Sequence, residues 1–331
     1  MRYVTFGRTG LRVSTLALGT MPFGGDADEP TSAAIYGQAR DAGINYFDTA
    51  DVYNHGESER ILGRLCAGHR DEIVIATKAY FPTGDGVNDR SASRFHLVRA
   101  LEKSLVRLGT DRVDVFFVHR FDDVTPLEET LETLERLADA GKVLYPAVSN
   151  FAAWQVMKAI GIQARRGFSK IVALQPMYNL VKRTAEIELL PMAASEGLAV
   201  TPYSPLGGGL LSGKYGDTMS SAPGRLSTNA MYQRRYEGTL GLAQAFAGLA
   251  RELGIHPVTL AIAWVGHHPA VTAPLIGARN VEQLTPALAA ADLELDHETY
   301  ARVAALVPAP PPATDRNEEG SADDYAKVVR R

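Results

Sequence analysis

Four side chains in this sequence have the types and spacing of a proton-donating pocket. Asp48 ends the apolar run Asn45–Thr49, and Tyr53 follows it after Thr49-Ala50-Asp51-Val52. Lys78 ends the run Ile73–Lys78, and His119 ends Val113–His119. A phenol, with a pKa of about 10, is a weak acid at neutral pH. A nearby ammonium favours the phenolate, so Lys78 is expected to lower the pKa of Tyr53. Asp48 is suited to hold Lys78 charged and oriented. His119 is suited to donate to a carbonyl oxygen or relay a proton. The same residues admit a plainer reading, a buried Asp–Lys ion pair with a packing tyrosine.

These residues act together only if the fold gathers several strand ends on one rim. Val/Ile/Phe-rich runs occur at Leu16–Gly19, Asn45–Thr49, Ile73–Lys78, Val113–His119, Val143–Ser149, Ile171–Gln175, Leu198–Tyr203 and Val271–Gly277. Short continuous apolar runs suit strands covered on both faces. Between them leucines recur at helical spacing. Leu97, Leu101, Leu105 and Leu108 precede Gly109, and Leu127, Leu131, Leu134 and Ala138 precede Gly141. Thr125-Pro126-Leu127-Glu128 reads as a cap, a first-turn proline and an acidic first turn.

Strands alternating with helices call for right-handed crossovers and a parallel sheet. About eight such units predict an α/β chain folded as a (β/α)8 TIM barrel. A β-hairpin is expected in front of it, with Tyr3–Phe6 and Leu11–Thr15 flanking Gly7-Arg8-Thr9-Gly10. A doubly wound sheet wants G-x-G-x-x-G after its first strand, and Leu16–Gly25 reads LALGTMPFGG instead. Residues 1–307 are expected to form this single domain, with a long loop, Leu206–Arg235, after strand seven. A Pro-rich, acidic tail follows over 308–331.

In such a barrel the reactive face is the C-terminal end of the strands. There the apolar runs end in Asp48-Thr49, Lys78, His119-Arg120, Ser149-Asn150, Gln175, Tyr203-Ser204 and Gly277-Ala278-Arg279. Stability is served equally by polar groups at either rim, so their concentration at one favours function.

Composition removes other classes. The 331 residues carry a net charge of −4, and no long basic run argues for nucleic acid or an anionic membrane as partner. The opening MRYVTFGRTGLRVS has no apolar signal core, and no run of about 18 apolar residues occurs. A single cysteine, Cys66, excludes an internal disulfide and a Cys-cluster zinc site. A cytoplasmic location is the expectation; the oligomeric state is not readable. Gly208–Lys214 matches a phosphate-binding loop, but Tyr215 replaces its magnesium-binding hydroxyl. His55-Gly56-Glu57 lacks the paired cysteines of a zinc deaminase. His267 and His268 are adjacent and expected to be solvated; Trp154 and Trp264 read as packing groups.

The segments NYFDTADVYNHGESERILG, Thr77-Lys78, FFVHR, AVSNF, ALQPMYN, TPYSPLGGGLLSGKY and APLIGARNVEQL, in that order, resemble the aldo-keto reductases. The likeness runs from about Thr5 to about Leu295, nearly the whole chain apart from the tail. It implies a (β/α)8 barrel that reduces carbonyls with NADPH, without metal or flavin. The family's catalytic residues fall on Asp48, Tyr53, Lys78 and His119, with Tyr53 the general acid.

The resemblance also implies cofactor contacts. Gly19, Thr20, Met21 and Asp48 are among them. Ser149, Asn150 and Gln175 hold its carboxamide, and Tyr203 stacks on the ring. Ser204, Pro205, Leu206, Gly208 and Leu210 wrap the pyrophosphate, with Lys214 near. Ile276, Gly277, Ala278, Arg279 and Gln283 surround the adenosine. Arg279, read as heading a helix, suits a 2′-phosphate and favours NADPH, with NADH admissible. Pro286 and Ala287 stand where many relatives carry Glu and Asn, which removes one usual adenine contact. Met21, Phe23, Tyr80, Phe81 and Arg120 are expected to line the pocket for a small carbonyl substrate. Two other readings stay open: a cofactor-binding regulatory subunit like potassium-channel β subunits, and a hydrolase using Asp48 and Asp51.

Overall fold

The structure, a computed structural model, describes residues 1–314. Of the expected tail, residues 308–314 contain neither helix nor strand, and the rest lies outside the described residues.

Strands β1 (Tyr3–Thr5) and β2 (Arg12–Ser14) pair antiparallel. Eight parallel strands follow: β3 (Ala17–Gly19), β4 (Tyr46–Asp48), β5 (Val74–Ala79), β6 (Val113–Val118), β7 (Val143–Ser149), β8 (Ala173–Gln175), β9 (Ala199–Val200) and β10 (Leu275–Ile276). Each pairs with the next in sequence from β3 to β9, and β10 lies beside β3. The sheet curls until its ends meet. Thr272 and Ala273 donate backbone hydrogen bonds to the Val200 carbonyl, and Leu275 donates to Pro202. This arrangement fits a (β/α)8 barrel.

Helices α1 (Glu29–Asp41), α2 (Glu57–Cys66), α3 (Arg94–Leu108), α4 (Leu127–Asp139), α5 (Ala153–Arg166) and α6 (Leu189–Glu196) connect successive strands. Between β9 and β10 come α7 (Arg225–Thr228), α8 (Ala230–Arg235), α9 (Leu240–Glu252) and α10 (Pro257–His267). Helices α11 (Val281–Leu288) and α12 (His297–Ala304) close the described chain. The local signals act as physical chemistry requires at α3: Ser93 accepts from the His96 amide at its start, and Gly109 ends it at φ 63°.

The core has two shells. Outward-facing strand residues pack against the helices, whereas Phe6, Val13, Tyr46, Val115 and Phe117 fill the barrel with Ala17, Ala76, Ala147, Ala173 and Ala199. The alanines narrow the interior, so a few aromatic rings fill it. Phe6 meets Tyr46 edge-on at 5.6 Å, which brings the end of β1 into the barrel's N-terminal mouth. Gly7 follows at φ 58°, where a Cβ would lie 2.8 Å from the Ala199 amide nitrogen. Only glycine brings the backbone that close.

Several local expectations are corrected. Thr125 does not cap α4; its hydroxyl donates to Asp122 at 2.7 Å, and Pro126 itself occupies the cap position. Leu206–Arg235 is not an unstructured loop. A 3-10 turn over Gly207–Ser212, α7 and α8 occupy much of it. Trp154 is largely exposed, its ring packed only edge-on against Phe121 at 5.9 Å, while Trp264 is fully buried. His268 is half-buried against Tyr178, at 5.8 Å between ring centres, so only His267 of the pair is solvated.

Candidate active site

Strand register brings the polar tips together. Gly19 lies opposite Asp48, Lys78 opposite Phe117, and Ser149 opposite Gln175. Lys78 is fully buried, and its Nζ donates to Asp48 Oδ1 at 2.5 Å and to the Thr49 carbonyl at 2.6 Å. Gln175 Nε2 donates to the other Asp48 oxygen at 2.8 Å. The ammonium stands 5.1 Å from the centre of the Tyr53 ring, and the His119 ring meets Tyr53 edge-on at 6.1 Å. Tyr53 is placed by a tight turn in which Asn54 and His55 take φ values of 47° and 55°. Asn54 Nδ2 ties that turn to the Met21 and Phe23 carbonyls.

Burial and charge act in opposite directions here. Burial raises the Asp48 carboxyl, against the opposing effect of Lys78. For Lys78, burial favours the neutral amine, but Asp48 and Tyr53 outweigh it and the ammonium persists above its ordinary range. Tyr53 departs from expectation. Burial raises its pKa, and the Lys78 charge offsets only part of that rise. The phenol is therefore protonated at neutral pH, with its conjugate base stabilised by the adjacent ammonium. Burial, aided by Lys78, depresses His119 far below the ordinary imidazole value. Its Nδ1 has no partner among the described residues.

A cavity of about 790 Å³ opens above these groups. Its walls take Gly19, Met21, Asp48 and Tyr53 from one side, and Phe81, His119 and Arg120 from the next strands. Ser149, Asn150 and Gln175 follow, then Tyr203, Ser204, Pro205, Leu206, Gly208 and Lys214. Ile276, Gly277, Ala278, Arg279 and Gln283 complete it. Asn150 and Ser204 sit just past β7 and β9 in the left-handed backbone region, at φ 55° and 58°. Non-glycine residues held there commonly mark functional sites. Tyr203 Oη donates to Asn150 Oδ1 at 2.8 Å, and Asn150 Nδ2 donates to the His119 carbonyl at 2.9 Å.

Other expected residues lie elsewhere. Lys78 sits beneath the cavity floor. Thr20 is buried, its hydroxyl donating to the Asp48 carbonyl at 3.1 Å and pairing with Ser58. Leu210 and Phe23 face the hydrophobic core, not the cavity. Tyr80 packs edge-on against Phe81 at 5.3 Å and against that core. Arg279 does not head α11; Asn280 caps it and accepts from the Gln283 amide. Pro286 and Ala287 do line the cavity.

Sequence reasoning missed Arg225, Met231, Tyr232 and Arg235 from α7 and α8, and His256, which caps α10, and Ile262 within it. The two arginines were visible as cations inside the Gly/Ser-rich segment. Among the described residues, no group of three or more His, Cys, Asp or Glu is placed to hold a metal, and no helix is long and apolar enough to cross a membrane.

Known proteins resemble this chain over most of its length. A family profile described as aldo/keto reductase matches residues 15–308. An uncharacterized oxidoreductase, YrpG, of Bacillus subtilis is 42% identical over 94% of this chain and 97% of its own. A probable voltage-gated potassium channel subunit beta of Oryza sativa is 35% identical over 95% of this chain and 99% of its own. The versiconal hemiacetal acetate reductase of Aspergillus parasiticus is 31% identical over 90% of this chain and 94% of its own. The chain belongs to the aldo/keto reductase family.

Proposed function

We propose that this protein reduces an aldehyde or ketone to the alcohol with NADPH, using Tyr53 as the general acid. The observation that carries this reading is the buried Lys78 ammonium, in contact with Asp48 and beside the Tyr53 ring, under a cavity that His119 lines. The cavity fits the cofactor chemically. Its far end carries Lys214, Arg225 and Arg279, cations suited to phosphates, and its near end offers the amides of Asn150 and Gln175.

When bound, NADPH supplies a hydride from nicotinamide C4 to the carbonyl carbon. The chain's own residues manage the oxygen. Tyr53, neutral at neutral pH, gives its proton to the oxygen as charge develops there. An alkoxide is far more basic than a phenolate, so a raised phenol pKa does not oppose the transfer. Lys78 stabilises the phenolate left behind, and Asp48 keeps the ammonium aimed. His119, neutral and desolvated, donates to the carbonyl oxygen and polarises it. Asn150, braced by Tyr203 and by the His119 carbonyl, orients the nicotinamide. A cytoplasmic location and a small carbonyl compound as substrate accompany this reading.

The test mixes the protein with NADPH or NADH and a panel of aldehydes and ketones, and follows absorbance at the reduced-nicotinamide band. Wild type should turn over. Tyr53→Phe should lose nearly all turnover while still binding NADPH; retained turnover removes Tyr53 as the acid. A second reading, a regulatory subunit with little turnover, is favoured by the name of the Oryza relative. Tight NADPH binding without turnover on any carbonyl supports it instead.

A further inference from the structure

Five cations line the cavity: Arg120, Lys214, Arg225, Arg235 and Arg279. Among the described residues, none lies within ion-pair distance of a carboxylate. Like charges gathered in a partly desolvated cleft repel one another, and an anionic ligand relieves that repulsion.

The cations fall into two groups. Lys214 Nζ donates to the Pro223 carbonyl at 2.8 Å, and a Cβ placed on Gly224 would lie 2.5 Å from it. Arg225, the next residue, therefore begins beside Lys214. Arg279 is near enough that, after burial, its charge helps to lower the Lys214 pKa. These three form the end suited to cofactor phosphates. The two groups meet at Tyr232, whose ring centre lies 5.7 Å from the Arg225 guanidinium and 5.1 Å from the Arg235 guanidinium.

Arg235 belongs to the reactive end. Its charge acts on the phenol of Tyr203, which is bonded to Asn150 and through it to the His119 backbone. Tyr232, on the same short helix, lies near enough to Tyr53 for the two phenols to interact. Arg120 directly follows His119 and also lines the cavity. Neither Arg235 nor Arg120 is needed for the proton transfer described above, and on the reductase reading the other group would serve the cofactor phosphates.

We infer that the substrate is a carbonyl compound bearing an anionic group, a carboxylate or a phosphate, which Arg235 binds with Arg120 as the second cation. This rests on the reductase reading and adds to it a substrate class and a specificity-determining residue. A guanidinium suits either anion because its planar fork donates two parallel hydrogen bonds. The helix carrying Arg235 lies in the connection between β9 and β10, apart from the strand ends that carry Asp48, Lys78 and His119, so specificity is separable from the strand-borne chemistry.

The test uses matched pairs of equal carbon skeleton: succinic semialdehyde against butanal for the carboxylate, and glyceraldehyde 3-phosphate against glyceraldehyde for the phosphate. Wild type should prefer the charged member of at least one pair in kcat/KM, and which pair responds identifies the anion. Arg235→Gln should lower that charged-to-neutral ratio by tenfold or more, mainly through KM. A wild type with no charged preference, or a ratio that Arg235→Gln does not move, overturns the inference. So does a loss of NADPH affinity as large as the change in ratio, which would assign Arg235 to the cofactor.

A readout independent of turnover separates this from failure of the reductase reading. Calorimetric titration of the NADP+-saturated protein should detect 4-hydroxybutyrate but not butanol, and Arg235→Gln should abolish the signal. If no carbonyl is turned over yet this difference holds, the anion site stands and the reductase reading falls. If 4-hydroxybutyrate and inorganic phosphate both fail to bind, the anion site falls.

Discussion

Lys78 Nζ lies 2.5 Å from Asp48 Oδ1, and neither side chain is more than 3% exposed. Such a pair gives up its hydration for one short contact. The remaining Asp48 oxygen is held by Gln175, and a second ammonium proton is taken by the Thr49 carbonyl. Removing one partner strands the other, a loss of about 3–5 kcal/mol in comparable buried pairs. Lys78→Met should therefore lower unfolding stability in urea by about that amount. Asp48→Asn combined with Lys78→Met should recover most of it, because no charge is left behind. Neither variant should reduce a carbonyl. A Lys78→Met protein as stable as wild type would show that the pair is not desolvated as the geometry requires.

Asp51 presents the opposite case, a buried carboxyl without a partner. Both its oxygens lack hydrogen bonds among the described residues, and burial, reinforced by the charge of Glu59, pushes it up to about 8. The folded pKa exceeds the unfolded value of about 3.9, so the native state holds a proton that the unfolded chain has lost across this window. Stability from this group thus falls as pH rises from about 4 to 8. Asp51→Asn removes the penalty. The melting temperature of the variant minus that of wild type should be more positive at pH 8.5 than at pH 5, whatever other groups do. An equal difference at both pH values would show that Asp51 is ionised in the fold throughout.

The ends of the strands were legible because an apolar run with a polar tip is a local pattern. Asp48, His119 and Gln175 needed only that pattern and the rule that the chain returns to the same rim. The pKa of Tyr53 was not legible, because its sign depends on burial against one neighbouring charge, and burial is a property of the assembled cavity. Phe23 and Tyr80 failed as pocket residues for a related reason: adjacent loop positions face opposite ways, and packing decides which one meets solvent. Phe81 faces the cavity while Tyr80 turns to the core. Arg235 and Tyr232 escaped notice because their helix is only six residues long, with too little apolar periodicity to predict.

Arg279 tests cofactor preference. It lies at the cavity wall beside Lys214, ahead of the Asn280 cap, with its amide donating to Gln283 Oε1 at 3.2 Å. On the proposed reading, a guanidinium there would discriminate by the extra phosphate of NADPH. Arg279→Ala should weaken NADPH by roughly tenfold or more in a fluorescence titration, the value of one charge-assisted hydrogen bond, and leave NADH much less affected. Equal loss for both nucleotides would assign Arg279 to a feature they share.

The last prediction concerns how α8 reaches the site. Gly208 adopts φ 68°, and a Cβ there would lie 2.8 Å from Tyr232 Cδ1. The ring of Tyr232 therefore rests on bare backbone, and the helix carrying Arg235 is seated by that contact. Any β-carbon both strains the turn and lifts the ring. Gly208→Val should unseat Tyr232 and Arg235 together while leaving the buried Lys78–Asp48 pair beneath the floor intact. Turnover should fall, with KM for charged carbonyls rising more than KM for neutral ones. Gly209→Val is the matched control. Its φ of 98° imposes comparable backbone strain, but a Cβ there finds nothing nearer than Lys214 Cε at 3.8 Å. If both variants change KM alike, the effect is strain in the turn, and the seat of Tyr232 on Gly208 has no special part in it.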